Sequence, residues 1–86
     1  MTKSEFEAKL LAAVGDNAYG KEVVADLAAH FDETGKYAQT AVDRLDERLG
    51  TLKGWEKKHA EAGDFAKAAE EAEKIAVVYK ALAALK

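Results

Sequence analysis

Apolar residues recur at steps of three and four in four successive stretches of this 86-residue chain, the spacing of one helix face. The first stretch is Phe6, Leu10, Leu11 and Val14. Ser4-Glu5-Phe6-Glu7 precedes it with capping-box spacing, Ser4 as N-cap and Glu7 three residues on. Gly15 is a natural stop, so the pattern predicts a helix over Glu5–Val14. Asp16 or Asn17 caps the next one, whose stripe is Tyr19, Val23, Val24, Leu27, Ala28 and Phe31. Gly20 softens its beginning and Gly35 ends it, giving a helix over Ala18–Thr34.

The third stripe is Tyr37, Ala41, Val42, Leu45, Leu49, Leu52, Trp55, His59 and Ala62. It keeps phase through Gly50 and Gly54, which predicts one long helix over Lys36–Ala62. The alternative is a break at Gly50 with Thr51 recapping the chain. Gly63-Asp64 is a stop glycine followed by an N-cap aspartate, the sharpest turn signal in the sequence. Phe65–Leu85 follows as the fourth helix, with Phe65, Ala68, Ala69, Ala72, Ile75, Ala76, Tyr79 and Leu82 as its expected core stripe. The lengths agree: about 40 Å and 32 Å for the last two helices, about 40 Å for the first two together. Short connections favour antiparallel neighbours. The expected fold is an all-α antiparallel bundle, two short N-terminal helices on a long C-terminal helical hairpin, in one domain over residues 1–86.

The last stretch, Ile75 to Lys86, holds only Lys80 and Lys86 as polar residues. On the fourth helix one outer sector carries Lys67, Glu70 and Lys74, then switches to Val77, Val78, Ala81 and Leu85. A helix that is apolar nearly all round is buried against something. Two occupants are open: the first two helices of the same chain, or another protein. The second reading makes Val77, Val78, Ala81 and Leu85 a partner-binding patch in a dimer, a larger assembly or a complex. Glu22 and Asp26, on a second helix whose acids outnumber its bases, would then steer a basic partner.

Composition narrows the classes. There is no cysteine, hence no disulfide and no thiolate metal site. With no signal-peptide pattern at the start, that makes the cytoplasm the expected location. The apolar end of the fourth helix reaches about 17 Å against a hydrocarbon core of about 30 Å, which argues against a membrane span. Net charge is −3, with eight acids against four bases in residues 1–43 and eight against nine in residues 44–86. Those totals give no concentrated basic face for wholesale nucleic-acid binding.

Candidate chemistry is sparse. Glu56-x-x-His59 has the helical spacing of a carboxylate-bridged metal site, with His30 as a partial second set. A histidine tucked at a helix end is the commoner explanation. No hydroxyl has a base at recognisable spacing, and Gly15 to Gly20 lacks the lysine of a phosphate loop. Arg44, Arg48, Lys53, Lys57 and Lys58 around Trp55 could bind a polyanion, although Asp43, Asp46, Glu47, Glu56 and Glu61 interleave with them. No catalytic set emerges, and no cofactor is implied.

Two fragments resemble known families. Ala60-Glu61-Ala62-Gly63-Asp64-Phe65-Ala66-Lys67-Ala68-Ala69 resembles the hairpin turn of UvrB/UvrC-type motifs and of tetratricopeptide helices. That resemblance implies close helix packing through paired alanines. The stretch from Ser4-Glu5-Phe6 to His30-Phe31-Asp32-Glu33 is loosely similar to the opening two helices of colicin-nuclease immunity proteins, although that family's Tyr-Tyr-Pro element is missing. It implies a small acidic helical inhibitor. The expectation is a non-enzymatic protein-protein interaction module, inhibitory, regulatory or assembling. Metal or ligand binding through His59, Glu56 and His30 is one alternative, and polyanion binding through Arg44 to Lys58 another.

Overall fold

The computed structural model describes residues 1–32 and 34–86. It contains α1 (Lys3–Val14), α2 (Ala18–Ala29), α3 (Tyr37–Glu61) and α4 (Phe65–Leu85), with no strand among the described residues. The fold is all-α, and its densest packing is between α3 and α4 along the C-terminal hairpin.

α1 starts earlier than Glu5. Thr2-x-x-Glu5 has the same spacing as Ser4-x-x-Glu7, and Thr2 is the residue that caps. Its hydroxyl accepts the Glu5 N–H at 3.2 Å, and the Glu5 carboxylate accepts the Thr2 N–H at 3.0 Å. The earlier start adds a helical bond, Phe6 N–H to Thr2 C=O at 3.0 Å, and leaves Ser4 inside the first turn.

α2 ends at Ala29 rather than Thr34. His30 caps it, with its Nδ1 2.9 Å from the Asp26 carbonyl oxygen, and the Asp32 carboxylate accepts the Thr34 N–H at 2.9 Å. A side chain that bonds the backbone two residues on offers a turn in place of a helix. Phe31 then leaves the helical phase and packs with Phe6 at 5.4 Å and Tyr37 at 4.5 Å between ring centroids. Glu33, included in the expected helix, lies outside the described residues.

α3 is unbroken through Gly50 and Gly54, so the break at Gly50 does not form. Thr51 donates its hydroxyl to the Glu47 carbonyl at 3.2 Å instead of recapping the chain. The turn into α4 is a complete Schellman motif. Gly63 takes φ 79°, its N–H bonds the Ala60 carbonyl at 3.1 Å, and the Asp64 N–H bonds that of His59 at 2.8 Å. Asp64 then caps α4 by accepting the Lys67 N–H at 3.2 Å.

α1 and α2 do not lie end to end along the hairpin. They fold back on each other, with Gly20 against Val14 at the turn and Phe6 against Phe31 at the far end. The pair covers only one end of α3 and α4. There Leu10, Val23, Leu45 and Val78 are fully buried, and α4 packs against all three other helices. From Lys53 to Lys74 no residue is buried. The hairpin therefore projects as two helices alone. That gives dimensions of 45 × 23 × 19 Å and a radius of gyration of 13.7 Å, against about 12 Å for a compact chain of this length.

Candidate interaction surface

α4 carries two apolar faces, and the structure buries the one expected to be outside. Val77, Val78 and Ala81 lie in the chain's own core, and Leu85 is half-buried against it. Helices α1 and α2 supply the covering layer. These four residues therefore form no open patch on the single chain, which corrects the reading of them as a partner site.

The expected core stripe of α4 is largely the open face. Phe65 is 70% exposed and Tyr79 48%, and Ala69, Ala72, Ala76 and Ala83 are exposed with them. Only Ile75 and Leu82, which turn toward the buried side, keep their expected burial. Phe65, Ala69, Ala72, Ala76, Tyr79 and Ala83 recur at alternating steps of four and three. This is the seam spacing of helices that pack on another helix. A helix needs two neighbours to bury two faces, and α1 and α2 both sit on the same side of the hairpin. The open side is bordered by half-buried Leu49 and Val42 of α3, and the Lys53 ammonium lies 5.4 Å from the Tyr79 ring centroid. Lysine over an aromatic face is a weak surface contact that leaves the rest of the ring accessible.

The acidic candidates separate. Glu22 is exposed on α2. Asp26 is engaged within the chain. It accepts two hydrogen bonds from the Arg44 guanidinium, at 3.0 and 2.8 Å, and Arg48 approaches it to 3.6 Å. The Arg44 hydrogen bonds hold the Asp26 carboxyl below the usual carboxylate range, against a smaller opposing effect of burial. Asp26 is thus a tie between α2 and α3 rather than a free steering charge. The pair lies along a shallow groove of about 290 Å³ lined by Asp26, Arg44, Glu47, Arg48 and Thr51.

The basic stretch is divided among faces. Arg44 and Arg48 turn to α2, where Arg48 also donates to the Tyr19 hydroxyl at 3.2 Å. Lys53 turns to the open face, Lys57 pairs with Glu61 at 3.9 Å, and Lys58 lies 5.1 Å from the Trp55 ring centroid. No single basic face results. Trp55, placed by phase in the core, is 49% exposed because α2 and its cover stop short of it. His59 stacks on Trp55 at 5.7 Å between centroids, while His30 caps α2. Among the described residues no three His, Cys, Asp or Glu side chains converge as metal ligands would. No helix of the described residues is long and apolar enough to cross a membrane.

Compared with known proteins, the chain matches no family model, no curated protein and no solved structure at a significant level.

Proposed function

We propose that this protein is a non-enzymatic interaction module whose binding surface is the open face of the C-terminal hairpin. The observation that carries the reading is the exposed seam Phe65, Ala69, Ala72, Ala76, Tyr79 and Ala83. Its spacing suits an apolar helix of another polypeptide laid along α4. Aromatic side chains exposed on such a face gain most from being covered, since a fully buried Phe is worth about 1.5–3 kcal/mol. The alanines between them let a second helix approach closely. An assembly or regulatory role follows from a surface of this kind, and the exposed Glu22 lies apart from it, on α2.

A photo-activated cross-linking residue in place of Tyr79, compared with one in place of Glu22, tests this in the native host. Strong polypeptide adducts of defined mass are expected from Tyr79 and not from Glu22. Equal labelling at both positions, or none at Tyr79, overturns the reading.

A further inference from the structure

The seam on α4 is self-complementary. Laid antiparallel on itself about a point between Ala72 and Ala76, it sets Ala72 against Ala76, Ala69 against Tyr79 and Phe65 against Ala83. Every large residue meets a small one, and every seam position is used. Antiparallel pairing of alternate seam positions is the geometry of helix-on-helix packing. A two-fold axis through that point makes the contact isologous and closed. We infer that the occupant of the open face is a second copy of this chain, docked α4 on α4 in this antiparallel register. The inference rests on the reading of that face as a binding surface.

One further observation favours a second copy. The area is sufficient. Phe65 to Ala83 spans about 27 Å, and α3 widens the face to about 20 Å. The two copies together then bury about 1,000 Å², the lower bound of specific interfaces. Interfaces at that bound belong to the weak, transient class, and the dimer is expected to dissociate with a constant of roughly 10–100 µM.

The absence of cysteine makes the register directly measurable. Sedimentation equilibrium from about 1 µM to 1 mM is expected to show monomer passing to dimer in that range. Ala72→Glu places two carboxylates beside the axis, and should weaken association at least about 30-fold while the melting temperature of the dilute monomer stays unchanged. Under mild oxidation a mixture of A69C and Y79C proteins should cross-link to each other, whereas A69C alone should not cross-link to itself. Self-cross-linking of A69C would show a parallel or shifted pairing and overturn the register. A strict monomer at 1 mM would overturn the second copy as occupant. In that case adducts at Tyr79 with a different protein would leave the binding face standing, and their absence would remove both readings.

Discussion

Val78 and Tyr79 are consecutive on α4, yet Val78 is fully buried and Tyr79 is 48% exposed. The step of about 100° between them crosses from the side packed by α1 and α2 to the open side of the hairpin. All the residues that could bind a partner on this helix are sorted by that step.

The sorting predicts opposite responses to substitution. Val78→Ala should cost about 2–3 kcal/mol of stability, from lost burial and the cavity it leaves. Tyr79→Ala should change stability by no more than about 0.5 kcal/mol, as at other open surface positions. Urea unfolding of the dilute protein reads both values. Equal losses at the two positions would contradict the burial of Val78.

The glycines of helices α2 and α3 predict a second contrast. A Cβ on Gly20 would sit 2.9 Å from the Val14 Cβ and Cγ2 atoms, so α1 and α2 would have to move apart. Nothing lies within 4 Å of a Cβ built on Gly50 or Gly54. Gly50→Ala and Gly54→Ala should each stabilise by about 0.8–1 kcal/mol through helix propensity alone. Gly20→Ala should destabilise by about 1–3 kcal/mol, because overpacking outweighs the same propensity gain. Melting curves of the three variants, recorded by circular dichroism, check the signs.

Phe6 is fully buried and touches both Phe31 and Tyr37, the latter edge-on at 5.3 Å. This trio joins α1, the α2–α3 connection and the start of α3. Phe6→Ala should cost about 3–5 kcal/mol, a large part of the stability of a domain this small. Phe6→Leu should cost about 1–2 kcal/mol, retaining burial and losing the aromatic geometry. Chemical denaturation of the two variants gives the comparison, and the Leu variant should keep a cooperative transition.

The Asp26–Arg44 tie predicts an acid limb in the stability profile. The folded pKa of Asp26 is lowered by its Arg44 hydrogen bonds. Its contribution is therefore complete above the unfolded aspartate value of about 3.9, and is lost as pH falls through the folded value. Asp26→Asn should melt about 3–6 °C lower at pH 7, and the difference should close as pH approaches about 2. A difference that stays constant from neutral to acid pH would show that the carboxylate charge does not contribute.

How much was legible along the chain depends on the range of the interaction. The Gly63-Asp64 turn is set by residues within one turn of each other and is plain in the sequence, whereas the sequence left the cap of α2 open between Asp16 and Asn17 and a break at Gly50 as the alternative to a continuous α3; the structure selects Asn17 and the unbroken helix. The end of α2 is not fixed by its own residues, because Asp32 and His30 have two local options and the packing of Phe31 against Tyr37 favours the turn. The start of α1 is ambiguous in the sequence because Thr2 and Ser4 both have capping-box spacing, and only Thr2 forms the box.

The sequence by itself determined the helices, their antiparallel hairpin and the surplus of apolar surface on α4. Periodicity records which residues share a face, and on α4 beyond Lys74 both faces are apolar. Which of the two is inside was decided only by the tertiary structure. The pairing of α1 with α2 puts both on the side of Val77, Val78 and Ala81, and two short helices lack the area to cover the other. The line from Phe65 through Ala72 to Tyr79 is left open for that reason.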